Sequence, residues 1–204
     1  SGDGVEYTLR GFEWKDVIKN TSLKEKDMLW AKFPTDEDYR KNKIRGISIG
    51  NYFKWDPNKH TKMVQEKYNW KESSKPFERT YRRMSNLDDR YENGIHDLLK
   101  FIKFGYGRAT DHASKDIRTG YMSRDEGIKM VKKYDHVVSS DLDYWLDYVK
   151  MDKDEFWSTA DTFRSNKVWW IENNEWHKYN VWGGSSSFGE VRLKKELQKK
   201  YLKK

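Results

Sequence analysis

From residue 87 the apolar residues Leu87, Tyr91, Ile95, Leu98, Leu99 and Ile102 recur at helical spacing and form one stripe. The pattern predicts a core-facing helix of about four turns. At about 100° per residue, Asp88, Glu92, His96 and Lys103 fall in a second, narrower stripe along the rim of the buried face. The glycines of Phe104-Gly105-Tyr106-Gly107-Arg108 permit a sharp reversal. Thr110 is then placed to cap a helix running to about residue 118. Ser123 with Glu126 makes a capping box for a helix to residue 134. Further helices are predicted over 141–150 and 153–163, the second capped by Asp152.

Upstream, helical signals cover 14–19 and 23–30, Pro34 breaks the chain, and Thr35 with Asp38 caps a short helix to about residue 43. The β-branched run at 44–49, closed by Gly50, reads as a buried strand at the edge or end of a sheet. After it, Asp56 and Pro57 start a helix as N-cap and first helical residue. The intervening loop with Asn51, Tyr52 and Trp55 lies where α/β sheets bind ligands, or is simply packed aromatic. Residues 73–85 form a polar connector containing Arg79, Arg82 and Arg83. Two apolar runs around Asn173-Asn174 predict a β-hairpin near 168–179, and Gly183-Gly184-Ser185-Ser186-Ser187 reads as a flexible linker to a basic helix.

The expected fold is therefore α+β and mostly helical. Residues 1–56 would be the end of an α/β nucleotide-binding-type domain, 57–182 a helical domain with the hairpin, and 183–204 a linker and basic helix. The 204 residues suit one domain with extensions, and an aromatic content of 16% argues for a folded chain although charged residues reach 36%. No apolar run is long enough to span a bilayer and no signal pattern opens the chain, so a soluble cytoplasmic protein is expected. Cysteine is absent and the five histidines are dispersed, which leaves no local metal motif.

The net charge of +8 changes the picture only locally. Residues 189–204 carry seven basic side chains against Glu190 and Glu196. A solvated or docking element accounts for this better than a nucleic-acid reader, the competing reading. The densest candidate chemistry lies between 88 and 118, with Lys103, Arg108, Thr110, His112, Ser114 and Arg118 gathered around the Gly-x-Gly turn. A helix N-terminus offers N–H groups and a positive dipole end to a phosphate, and Lys103 and Arg108 would add charge-assisted bonds. A tight interhelix turn with surface cations is the alternative. The Trp-rich hairpin either packs the core or stacks a sugar or base.

The run Gly46-Ile47-Ser48-Ile49-Gly50-Asn51-Tyr52-Phe53-Lys54-Trp55-Asp56, and the longer pattern from Leu87-Asp88-Asp89 through Phe101–Ser114 to Gly120–Gly127, resemble the C-terminal half of the N-acetyl sugar amidotransferases. The resemblance implies the C-terminal part of a PP-loop α/β enzyme, in which ATP and magnesium are bound mainly by an N-terminal half. It implies adenylation of the acetamido oxygen of a nucleotide-linked N-acetyl sugar, then displacement of AMP by ammonia from a partner glutaminase, leaving an acetamidine. The products would feed lipopolysaccharide O-antigen or sugars of the legionaminic and pseudaminic type. Lys103 and Arg108 are the expected catalytic cations. Gly105, Gly107, Thr110, Ser114 and Arg118 would hold phosphate, while Asp88, Asp89 and His96 would bind sugar hydroxyls or orient the cations, with pairing or capping as the alternative for Asp88. Asn51, Tyr52 and Trp55 complete the expected set. A homo-oligomer is left open. The PP-loop pattern lies outside these residues, so the isolated chain is expected not to hydrolyse ATP.

Overall fold

The computed structural model describes residues 13–84 and 92–202. The chain divides into two compact units, Ser1–Pro57 and Asn58–Lys204.

In the first unit, α1 (Trp14–Asn20) is followed by a 3₁₀ turn at Glu25–Ala31, the short helix α2 (Asp36–Lys41) and a second 3₁₀ turn at Ile49–Asn51. The Thr35 and Asp38 side chains cap α2 reciprocally, as their spacing predicts. The second helical signal forms the tighter 3₁₀ conformation instead, burying Met28 and Ala31. The expected strand at 44–49 is not formed. Ile44, Ile47 and Ile49 are each more than half exposed, and the backbone closes on itself through Asn51 N–H to Ser48 O and Tyr52 N–H to Ile49 O, both 3.0 Å. A strand is stabilised by a neighbouring ladder and by burial of its side chains, and no described residue provides either here.

The second unit is built on α3 (Pro57–Tyr68), α4 (Glu92–Phe104), α5 (Arg108–Thr119), α6 (Arg124–Tyr134), α7 (Asp141–Val149) and α8 (Lys153–Thr162). The expected start of α4, with Asp88 and Asp89, lies outside the described residues. The apolar stripe behaves as predicted: Ile95, Leu98 and Ile102 pack with Leu142 and Leu146 of α7 and with Phe156 and Ala160 of α8. Ser123 and Glu126 cap α6 as a box, and Asp152 accepts from the Asp154 and Glu155 N–H groups at 2.7 and 3.3 Å to start α8.

Strands β1 (Trp170–Glu172), β2 (Glu175–Tyr179) and β3 (Ser185–Glu190) form an antiparallel sheet in the order β1-β2-β3. Asn173 and Asn174 both take positive φ (51° and 59°), the conformation that a two-residue hairpin turn requires. The supposed flexible linker is a second tight turn plus strand β3. Gly183 and Gly184 reverse the chain at φ 97° and 66°, and the serines then pair along β2. Phe188 anchors that strand edge-on against Phe101 and Trp169, with ring centroids 5.4 and 5.9 Å away. Low apolar content suggested flexibility, yet one half-buried aromatic and a ready sheet edge suffice to order the segment.

The hairpin tryptophans are core. Trp169 and Trp176 are essentially inaccessible and hold the Arg164 guanidinium between them at 4.3 and 4.7 Å, while Asp161 neutralises it at 2.8 Å. The basic terminal segment is shorter than expected: α9 (Lys195–Gln198) passes into a 3₁₀ turn, Lys199–Tyr201. Tyr201 pins it by donating to Arg164 O at 2.7 Å and packing edge-on to Trp176.

Candidate functional site

The Gly-x-Gly turn between α4 and α5 is dictated by close approaches. Gly105 takes φ 76°, and a Cβ there would sit 2.5 Å from Val168 Cγ1. At Gly107 a Cβ would meet the Asp135 carboxylate at 2.9 Å and its backbone oxygen at 3.0 Å. Asp135 ends α6, and its carboxylate accepts from Gly107 N–H (2.8 Å), Thr110 N–H (3.0 Å) and the Thr110 hydroxyl (2.6 Å). The first turn of α5 is thus capped by a carboxylate from the neighbouring helix. Thr110 is a donor inside the helix, where the sequence reading made it the cap. The anion seat that the sequence assigned to a phosphate is filled by the protein itself, as the dipole and the free N–H groups favour.

Two buried cations face this carboxylate. Arg79, 1% exposed, donates to the Asp135 backbone oxygen and lies over the Phe101 ring at 5.7 Å. Burial pushes its pKa down to about 10, against the opposing pull of Asp135 and Asp97. Lys178 is also buried, and burial lowers its pKa while Asp135 resists.

Arg108 is a half-turn away and differently employed. Its Nε and Nη2 fork onto Asp97 at 2.7 to 3.1 Å, and Nη2 lies 3.4 Å from His96 Nδ1. Burial opposes its charge, but the hydrogen bonds and proximity of Asp97 outweigh burial and hold its pKa above the ordinary value. Helical spacing sets His96, Lys100 and Lys103 on one face of α4. Lys100 is neutralised by Asp111, whereas Lys103 is exposed, its ammonium 5.1 Å from the Phe104 ring. Lys103 and Arg108, with His96 beside Arg108, therefore border a rim in which His96 and Lys103 reach solvent.

Behind that rim, His112 Nδ1 and the Thr80 hydroxyl share a hydrogen bond of 2.6 Å. Burial first, then Arg82, Arg108 and Lys115, push the His112 pKa down to about 3, so the ring is neutral at physiological pH. Between pH 6.5 and 3 the unfolded chain binds a proton that the native state rejects, so this group stabilises the fold above pH 6.5 and the stability is lost as pH falls. Urea midpoints should show a loss of roughly 1.4 kcal/mol per pH unit below 6.5, about 2 kcal/mol by pH 5, and that increment should vanish in His112→Gln.

The third buried carboxylate, Asp116, gathers residues from two other segments. Arg82 pairs with it, the Tyr81 hydroxyl donates to it, and Asn58 Nδ2 reaches it at 3.1 Å. Burial and the Asp116 charge raise the Tyr81 pKa, keeping the phenol protonated. These donors line a cleft of about 500 Å³ between α3 and the arginine-rich connector. A hollow of about 20 Å³ lined by Thr80, Asp97, Arg108 and His112 adjoins it, since Met84 borders both.

Other expected site residues are scattered. Ser114 lines an apolar hollow of about 180 Å³ between α5 and α6, and Arg118 is exposed on α5. Asn51, Tyr52 and Trp55 are exposed in the first unit. Sequence reading missed Asn58, Tyr81, Arg82, Asp97, Asp116 and Asp135. The signal for two of them was visible: Arg82 in an arginine cluster, and Asp97 beside His96.

Residues 78–181 match the family described as LPS biosynthesis protein WbpG-like, C-terminal domain. The chain belongs to this family. The match begins just before Arg79 and takes in Arg82, Asp97, Arg108, Asp116 and Asp135, so the ionic framework of the WbpG-like domain is contained in it apart from Asn58. Membership places the chain in lipopolysaccharide biosynthesis, with a sugar-modifying biosynthetic role. No curated protein matches it. Among the described residues no helix is long and apolar enough to cross a membrane.

Proposed function

We propose that the chain is the C-terminal portion of an ATP-dependent N-acetyl sugar amidotransferase, converting the acetamido group of a nucleotide-linked sugar to an acetamidino group with ammonia from a glutaminase subunit. The observation that carries this reading is Arg108, held in place by Asp97 and set with Lys103 inside the sequence stretch that resembles these enzymes and inside the LPS biosynthesis domain. In the conversion the amide oxygen departs in activated form and nitrogen takes its place on the same carbon. Negative charge develops on the leaving group, and cations fixed in advance stabilise it best. Arg108, locked by Asp97, is such a cation, and Lys103 is a second, exposed one.

The N-terminus of α5 does not fit the phosphates of ATP, because Asp135 already occupies it. In this reading ATP and magnesium belong to a PP-loop outside these residues. The complete enzyme should release pyrophosphate when given ATP, magnesium, ammonium and a nucleotide-linked N-acetyl sugar. The 204-residue chain alone should release none. Release by the isolated chain would overturn the division of labour.

A further inference from the structure

We infer that the cleft bordered by Lys62, Arg82 and Arg83 binds a phosphate-bearing ligand whose polar body rests on Asn58, Thr61 and Gln65. The inference stands on the cleft's own geometry and does not require amidotransferase chemistry.

Positions 58, 61, 62 and 65 recur at helical spacing on α3, so one whole face of that helix turns polar side chains into the cleft. The opposite wall is the connector. It is held rigid because Asp116, with only 7% of its side chain exposed, ties Asn58, Tyr81 and Arg82 to a single buried carboxylate. A wall fixed by buried hydrogen bonds presents its remaining donors without further ordering cost.

Those donors are available. Arg82 gives Nη2 to Asp116, while Arg83 gives Nε to Ser73 O at 2.7 Å and Nη1 to Glu72 at 3.4 Å. Each guanidinium carries five N–H donors, so the exposed Arg83 keeps some for a ligand, while the buried Arg82 chiefly fixes the wall. Lys62 is well exposed and only loosely paired, 3.8 Å from Glu66. Glu72 and Asp116 balance the two arginines and Glu66 lies near Lys62, so the cleft carries little surplus charge. The cleft therefore recognises an anion by directed hydrogen bonds more than by bulk charge, as suits a tetrahedral phosphate. Its volume of about 500 Å³ far exceeds one phosphate and falls in the range of sites for small organic ligands.

A diphosphate reaches such a site either as part of a nucleotide-linked sugar or as ATP and free pyrophosphate. Calorimetric titrations of the full chain with pyrophosphate, UDP, UDP-N-acetylglucosamine and ATP distinguish these sources. The expected result is saturable binding of at least one probe, weakened roughly tenfold to a hundredfold in Lys62→Ala and in Arg83→Ala. The exposed α6 variant Lys129→Ala should bind normally, and unchanged thermal midpoints would show that all three variants fold. Tighter binding of UDP-N-acetylglucosamine than of UDP assigns the polar wall to the sugar, whereas preference for ATP or pyrophosphate assigns the cleft to the activating nucleotide. Binding of none of the four, or binding indifferent to both cleft substitutions, overturns the inference. If the cleft binds while the complete enzyme forms no amidine, the site stands and the proposed reaction falls.

Discussion

Replacing Asp135 with alanine should cost about 3–5 kcal/mol of stability, read as a fall in the urea midpoint. The substitution removes the cap from α5 and leaves the Gly107 and Thr110 N–H groups and the Thr110 hydroxyl without their acceptor. It also strips an opposing charge from Arg79, which keeps Asp97, and the opposing charge from Lys178; both cations are buried, and their weakened compensation dominates the loss. Arg79 Nε and Nη1 already lack partners among the described residues, so no nearby acceptor stands ready. Asp135→Asn keeps one acceptor oxygen and should fall between wild type and alanine. A loss below about 1 kcal/mol in Asp135→Ala would mean that the carboxylate is not the hub described.

Replacing Arg108 with alanine in the complete enzyme should lower kcat by about 10²–10³, the usual cost of deleting a fixed group that stabilises transition-state charge. The single variant also takes the guanidinium from the buried Asp97 and leaves it only His96 Nδ1 at 3.0 Å, so lost activity alone is ambiguous. The double variant Asp97→Asn with Arg108→Gln replaces the ion pair by a neutral hydrogen-bonding pair. It should recover stability and remain inactive. Recovery of activity together with stability would make Arg108 a purely structural residue.

What was legible in the sequence was local. The Thr35–Asp38 and Ser123–Glu126 boxes, the Asp152 cap and the Asn173-Asn174 turn each satisfy backbone groups within a few residues, so their spacing alone specifies them. The apolar stripe of α4 was equally plain, because its partners α7 and α8 need only be apolar. What failed was relational. The 44–49 run has strand composition but no ladder among the described residues, and the Gly-Gly-Ser segment has linker composition yet finds the edge of β2.

The site shows the same division. The sequence marks Gly105, Gly107, Arg108 and Thr110 as a special turn, but what fills it, Asp135, lies 28 residues from Gly107. The Asp116 node joins Arg82 from 34 residues away and Asn58 from 58. No periodicity links such residues, and a carboxylate destined for burial looks the same in a sequence as one in water. Burial is what turns these acids into organisers, since each must be paired once desolvated.

The most direct test of the proposed activity is isotopic. The complete enzyme is incubated with ATP, magnesium, ¹⁵N-ammonium and a nucleotide-linked N-acetyl sugar, and the sugar is analysed by mass spectrometry and NMR. One ¹⁵N is expected on the former acetamido carbon in place of its oxygen, with AMP and pyrophosphate formed in equal amounts. An unchanged acetamido group, with ATP consumed or not, would contradict the proposed activity.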